Sequence, residues 1–332
     1  MKGVLSCLLA LMLALSITPS VFAEETVSGT TIYVDAKKGN TKQEVVGTTS
    51  DKAYKTVDAA VKAAKSGDTI QLSEGNYTLY GVSSGETTKG KNLTFVGRGT
   101  DKTGWNIGAK VPDPDKYGTE YNGDYSFDGA GTITFKNMTL RSGSADYLGF
   151  IRADNTIVSN CVINGKTFYW GYQTATFRDT KFNCPNGDYA LWTYSSPVMT
   201  FDNCTFNSSG KVINVYTDYS AGKHDITVNF NGCTVNGFSL KPALNINDSN
   251  MGNYKYVINI SGNNVVNGVT TDKISCSRLF GYSGRSGNNT GRTIVSFGNT
   301  TVWTPVWQNG KMFDNQAYHN NGVTADGVTY TN

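Results

Sequence analysis

The stretch Met199–Ser208, MTFDNCTFNS, reads as two short strands on either side of a sharp bend at Asn203. Variants of it recur as ITFKNMTLRS (133–142), TIVSNCVING (156–165), ATFRDTKFNC (175–184), VNFNGCTVNG (228–237) and INISGNNVVN (258–267). Phe135, Val158, Phe177, Phe201, Phe230 and Ile260 share one apolar position, at steps of 23, 19, 24, 29 and 30 residues. Units of this size cannot bury an apolar face alone, so each must stack on its neighbours.

The bend position holds Asn137, Asn160, Asp179, Asn203, Gly232 and Gly262. Glycine lacks a Cβ, and Asn or Asp can hydrogen-bond locally, so these residue types tolerate a left-handed backbone. One place later stand Met138, Cys161, Thr180, Cys204, Cys233 and Asn263. Most of that column reads as inward-facing. A buried free cysteine behaves as a small hydrophobe. A disulfide between Cys204 and Cys233 is the other option, since strands about 4.8 Å apart fall within bridging range.

Working outward, each coil adds a third strand: LGFIR (148–152), FYWGY (168–172), ALWTY (190–194), VINVY (212–216) and ALNIN (243–247). Period-two alternation sets Ile151, Gly171, Thr193, Val215 and Ile246 on an inner face. It leaves Phe150, Trp170, Trp192, Asn214 and Asn245 on the outer one, beside Arg152, Tyr172, Tyr194, Tyr216 and Asn247. Contiguous exposed aromatics usually mark a binding surface. Such rings can stack on sugar faces while Asn, Arg and Tyr meet the hydroxyls. The candidate carbohydrate-binding set is therefore Phe150, Arg152, Trp170, Tyr172, Trp192, Tyr194, Asn214 and Tyr216. The competing reading is that loops 217–226 and 248–256 fold over these rings.

Upstream, TIYVD (31–35) reads as a strand, and YKTVDAAVKAAKSGD (54–68) as an amphipathic helix of about three turns ended by Gly67, with Val57, Ala60, Val61 and Ala64 on one face. GDTIQLSEGNYT follows as strand, turn and strand. Residues 110–129 read as a polar loop, and the aromatic tail with Trp303, Trp307, Phe313 and Tyr318 as a cap on the far end.

The Tyr-Val-Asp strand, Tyr-Lys-Thr-Val before an Ala-rich helix, then Gly-Asp-Thr-Ile and Gly-Asn-Tyr resemble the opening of the pectin-lyase-like right-handed parallel β-helix superfamily. The resemblance covers about residues 31–300. It implies an all-β solenoid with a short N-terminal capping α-helix, asparagine ladders between coils, and a substrate cleft on the sheet of third strands. It does not carry an activity. The polygalacturonase pattern (Asn-Thr-Asp, Asp-Asp, Gly-His-Gly, Arg-Ile-Lys) is missing, as are the pectate-lyase Trp-Ile-Asp-His and Arg-x-Pro-x-x-Arg motifs and the pectin-methylesterase Asp-Phe-Phe/Val-Phe-Gly motif. Asp146, Asp154, Asp188 and Asp218, with Arg152 or Lys211, are the charged residues from which a lyase-like set could be drawn, with calcium taking up charge. They do not share one column.

Of the 332 residues 17% are charged, 37 are glycine, and the net charge is +3 without a basic stripe, so nothing points to nucleic acid. Lys2, the apolar run Leu8–Ile17 and Val21-Phe22-Ala23 form a secretion leader, predicting a mature chain from Glu24 and no membrane insertion afterwards. Six cysteines less Cys7 leave five, widely spaced and with no CxxC pair, so no structural metal site is expected. The expectation is one domain over 24–332, with a cap (31–68), regular coils (69–264) and less regular coils with a far cap (265–332). The expected function is that of a secreted or cell-surface protein binding polysaccharide through the aromatic third-strand face, without a cofactor and without catalysis. The alternative is a polyuronate lyase-like enzyme with a non-standard site.

Overall fold

The computed structural model describes residues 29–38, 47, 49–78, 87–107, 125–142, 150–165, 171–184, 191–193, 197–208, 213–216, 224–237, 244–248, 256–262, 265–267, 280–284 and 293–296. The leader and the aromatic tail lie outside them. Among the described residues, every strand pairing is parallel. Ten strands, from Thr31–Val34 to Thr293–Ser296, form one sheet, and eight, from Gly75–Thr78 to Val265–Asn267, form a second. A third sheet joins Leu191–Thr193, Ile213–Tyr216, Leu244–Asp248 and Phe280–Gly284. From Thr174 onward the strands visit the three sheets in turn, each sheet gaining one strand per coil. Parallel crossovers of this kind wind right-handed, and the chain is a right-handed parallel β-helix.

The apolar position of the repeat is a true column. Phe135, Val158, Phe177, Phe201, Phe230 and Ile260 pair in register, and the column extends upstream through Phe95 and Ile70 to Ile32. Rings stack where phenylalanines are neighbours, with centroids 5.1 Å apart for Phe177–Phe201 and 5.3 Å for Phe201–Phe230. Phe182 and Phe206 stack the same way from the second sheet, at 4.8 Å. From Ile32 to Phe230 the column, with Phe182 and Phe206, belongs to one continuous buried core.

All six bend residues have left-handed backbones, with φ of 57° at Asn137, 50° at Asn160, 47° at Asp179, 51° at Asn203, 60° at Gly232 and 71° at Gly262. Behind them Met138, Cys161, Thr180, Cys204 and Cys233 are buried; Asn263 lies outside the described residues. The thiol and hydroxyl hydrogens of this column find backbone partners one coil back: Cys161 Sγ donates to Phe135 O, Thr180 Oγ1 to Val158 O, Cys204 Sγ to Phe177 O and Cys233 Sγ to Phe201 O. The four described cysteines carry free thiols. Burial pushes the Cys161 thiol up to about 12 and also raises that of Cys204.

The bend residues, Asn137, Asn160, Asp179 and Asn203, are where an asparagine ladder is expected from the resemblance, but the longer one lies elsewhere. At the bends, Asn203 Nδ2 donates to Asp179 Oδ1. The longer ladder runs along the second sheet, where Asn183 donates to Asn164 (3.0 Å), Asn207 to Asn183 (2.8 Å) and Asn236 to Asn207 (2.7 Å). Side chains there stand perpendicular to the strand at one-coil spacing, which holds each amide in reach of the next.

The helix is shorter than its sequence pattern suggests, spanning Val57–Ala63. Thr56 caps it by accepting from Ala59 N, and Val57, Ala60 and Val61 are buried as the pattern predicts. It stops at Ala64, before Gly67, because Asp68 ties down the following backbone. The Asp68 carboxylate accepts from Lys65 N (2.7 Å) and from Thr30 N (2.9 Å). Helix and first strand contribute to the same core, so Thr31–Val34 is a rung of the solenoid as well as part of its cap.

Candidate functional site

Of the five expected third strands, those at 191–193, 213–216 and 244–248 pair in the register that the alternation implied. Leu191, Ile213, Leu244 and Phe280 pair in one column, and Trp192, Asn214, Asn245 and Gly281 in the next. Tyr216 pairs with Asn247. Ile151 and Ile213 are buried, which identifies the inner face. Arg152, one residue beyond buried Ile151, is partly exposed, as period-two alternation requires.

Phe150 belongs to the strand Phe150–Ile151, which pairs in parallel with Tyr125–Ser126. The stretch 110–129 reads as a loop in the sequence, yet it holds Tyr125, the register partner of Phe150. The signal was weak: the strand is two residues long and follows a Gly- and Pro-rich stretch. Phe127 next to it has φ of 63° and is buried.

The best-defined part of the site is a cluster of three side chains from adjacent coils. Arg152 Nε donates to Tyr172 OH (2.5 Å). The guanidinium carbon also lies 5.7 Å from the Tyr172 ring centroid, within cation–π range. Asp128 Oδ1 is 3.6 Å from Arg152 Nε. Arg152 and Asp128 side chains are 32% and 39% exposed, so the cluster is open to solvent and offers guanidinium, phenol and carboxylate together.

FYWGY (168–172) is not a strand at its described end. Gly171 has φ of 130°, and a Cβ there would lie 2.6 Å from Thr174 O. Only glycine fits that bend, and the bend delivers Tyr172 to Arg152, its amide donating to Ala153 O (2.9 Å). Trp170 and Tyr194 lie outside the described residues, as do Asp146, Asp188, Lys211 and Asp218. For Phe150, Trp192, Asn214 and Tyr216 the structure gives strand position and register. Asp154 is exposed and is not a member of the cluster. Among the described residues no group of His, Cys, Asp and Glu side chains could hold a metal ion. No described helix is long and apolar enough to cross a membrane.

No protein-family model matches this chain, and no curated protein matches it. A solved structure similar to it is that of a pectin methylesterase mutant in complex with a hexasaccharide, at 14% identity and a TM-score of 0.37, covering 90% of each chain. The fold assignment rests on the strand register described above.

Proposed function

We propose that this chain is a secreted β-helix protein that holds polysaccharide against its third-strand face and does not cleave it. The carrying observation is the Arg152–Tyr172–Asp128 cluster, half exposed on adjacent coils; Phe150 precedes it on a strand paired with Tyr125–Ser126, and Trp192, Asn214 and Tyr216 belong to the four-stranded third sheet. An aromatic surface with interspersed hydrogen-bonding groups suits a sugar chain, with rings under the apolar faces and polar groups on the hydroxyls. The stacking partners proposed are Phe150, Trp170, Trp192, Tyr194 and Tyr216, with Arg152, Tyr172 and Asn214 as polar contacts. Export rests on the leader at residues 1–23, and attachment to a cell surface is one destination of such a chain.

The test is a glycan array with the mature protein from Glu24, repeated with Trp170→Ala, Trp192→Ala and Tyr172→Ala. Loss of a wild-type signal in these variants, at unchanged melting temperature, supports the reading. Equal retention by wild type and variants on every glycan would falsify it. Incubation with polyuronates and calcium, followed in the ultraviolet, separates binding from lyase chemistry, because an unsaturated product would replace this reading with the enzymatic one.

A further inference from the structure

One connection on the bend ridge is much longer than the others. Six residues, 97–102, separate the strand Leu93–Val96 from Thr103–Ile107, whereas the coil before and the five coils after use two. The longer loop is fixed in place. Gly97 N donates to Lys136 O (2.8 Å), Gly99 N to Asn137 O (3.0 Å), and Arg98 N to Thr103 Oγ1 (3.0 Å). Thr139 Oγ1 donates to Thr100 O (2.6 Å), tying the loop to the next coil. Gly99, at φ of 141°, allows the turn.

Beside this loop lies an open cleft of about 670 Å³, lined chiefly by Gln71, Arg98, Asn137, Asn160, Asp179 and Lys181. It follows the bend ridge over three coil steps, each of about 4.8 Å, from the coil of Arg98 to that of Lys181. No aromatic side chain lines it. Arg98, Asn160 and Lys181 are exposed, and among the described residues their side chains have no hydrogen bond or ion pair.

We propose that this cleft is a second carbohydrate site, which takes a short stretch of saccharide bearing carboxylate or sulfate groups. Its two uncommitted cations stand three coils apart, so they bracket a chain and do not converge on a single small anion. Between them the amides of Asn137 and Asn160 stand one coil apart. An amide donates and accepts, as a hydroxyl does, so this row can match successive sugar hydroxyls. The Asp179 carboxylate, which accepts from Asn203 Nδ2, shares the last coil with Lys181 and can accept from a hydroxyl there. An acidic peptide is disfavoured, because only Val96 and Val162 offer apolar surface for side chains beyond the shared Cys161. The site is separate from the third-strand face and does not depend on it.

The experiment is calorimetric titration of the mature protein with heparin tetrasaccharide, tetragalacturonate, cellotetraose and tetraglutamate. Binding of the sulfated or the carboxylated saccharide, with none of cellotetraose, is expected, and the stronger of the two identifies the anionic group. Arg98→Ala and Lys181→Ala should each weaken it about tenfold or more, the worth of a charge-assisted hydrogen bond. Both residues are exposed, so melting temperature should hold, and Arg98→Lys should keep most of the affinity. Trp192→Ala should leave it unchanged. The proposal fails if neither anionic saccharide binds, if tetraglutamate binds equally well, or if affinity follows Trp192 and ignores Arg98 and Lys181. That last result would leave the third-strand reading intact and remove this one.

Discussion

The bend ridge and the third-strand side of each coil differ in the length of chain between strands. Across the ridge, two residues suffice in six coils, and the register of the first and second sheets continues through the described coils. On the way to the third strands the connections vary, with 185–190, 209–212, 238–243 and 268–279 as examples. A two-residue bend admits few backbone paths, and five of the six place Asn, Asp or Gly in the left-handed region, so each of those coils copies the last. Longer connections carry no such demand, and residue identity there is free to follow function. The one long connection on the ridge, 97–102, is also where a cleft opens, which is the same rule seen from the conservative side.

The comparison is tested most severely in the core. Phe201→Ala removes a ring stacked on Phe177 and Phe230, and should cost about 3–5 kcal/mol in denaturant unfolding. A loss below about 1 kcal/mol would mean that stacked coils do not share one packed interior.

Alkaline pH probes the thiol column next. The Cys161 thiol is pushed up to about 12, first by burial, against an ordinary value of about 9. The unfolded chain therefore releases this proton first, so its contribution to stability is complete below pH 9 and declines as pH rises toward 12. Cys161→Ala should flatten that decline in melts across the range. The buried thiols should resist alkylation in native protein and react after denaturation; a bridged Cys204–Cys233 pair detected by mass spectrometry would break this picture.

A smaller effect is expected at a bend. Asn203→Val forces a β-branched residue to φ of 51° and should lose about 1–2 kcal/mol, whereas Asn203→Gly should stay close to wild type. Equal losses would show that the amide, which donates to Asp179, matters more than the backbone.

The smallest change in stability belongs to the third-strand side. Tyr172→Phe removes the phenol that accepts from a half-exposed Arg152, a contact worth about 1 kcal/mol or less. A large drop in melting temperature would turn this cluster from a recognition feature into a structural one and erase the contrast between the two sides.

Much of the coil was legible because its signals are local. Phenylalanine at a period of about one coil, Asn or Asp at each bend and an inward column of small residues each state a requirement of the backbone or the core. The second-sheet ladder was equally visible in Asn164, Asn183, Asn207 and Asn236, yet it was overlooked beside the bend residues. The helix length was not legible, because its end is set by Asp68 reaching Thr30, 38 positions away. Tyr125 was hidden for a similar reason: a two-residue strand exists only through its partner.

MTFDNCTFNS and its variants thus determined, by themselves, a stack of coils with left-handed bends and a phenylalanine interior, since local backbone preference and period-two alternation need no partner to be read. Tertiary structure decided which residues of different coils meet. It joined Arg152 to Tyr172 and Asp128 through the bend at Gly171, and set Arg98 and Lys181 at two ends of one cleft. Those meetings depend on how chain segments of unequal length close onto the same ladder, and no local preference encodes that closure.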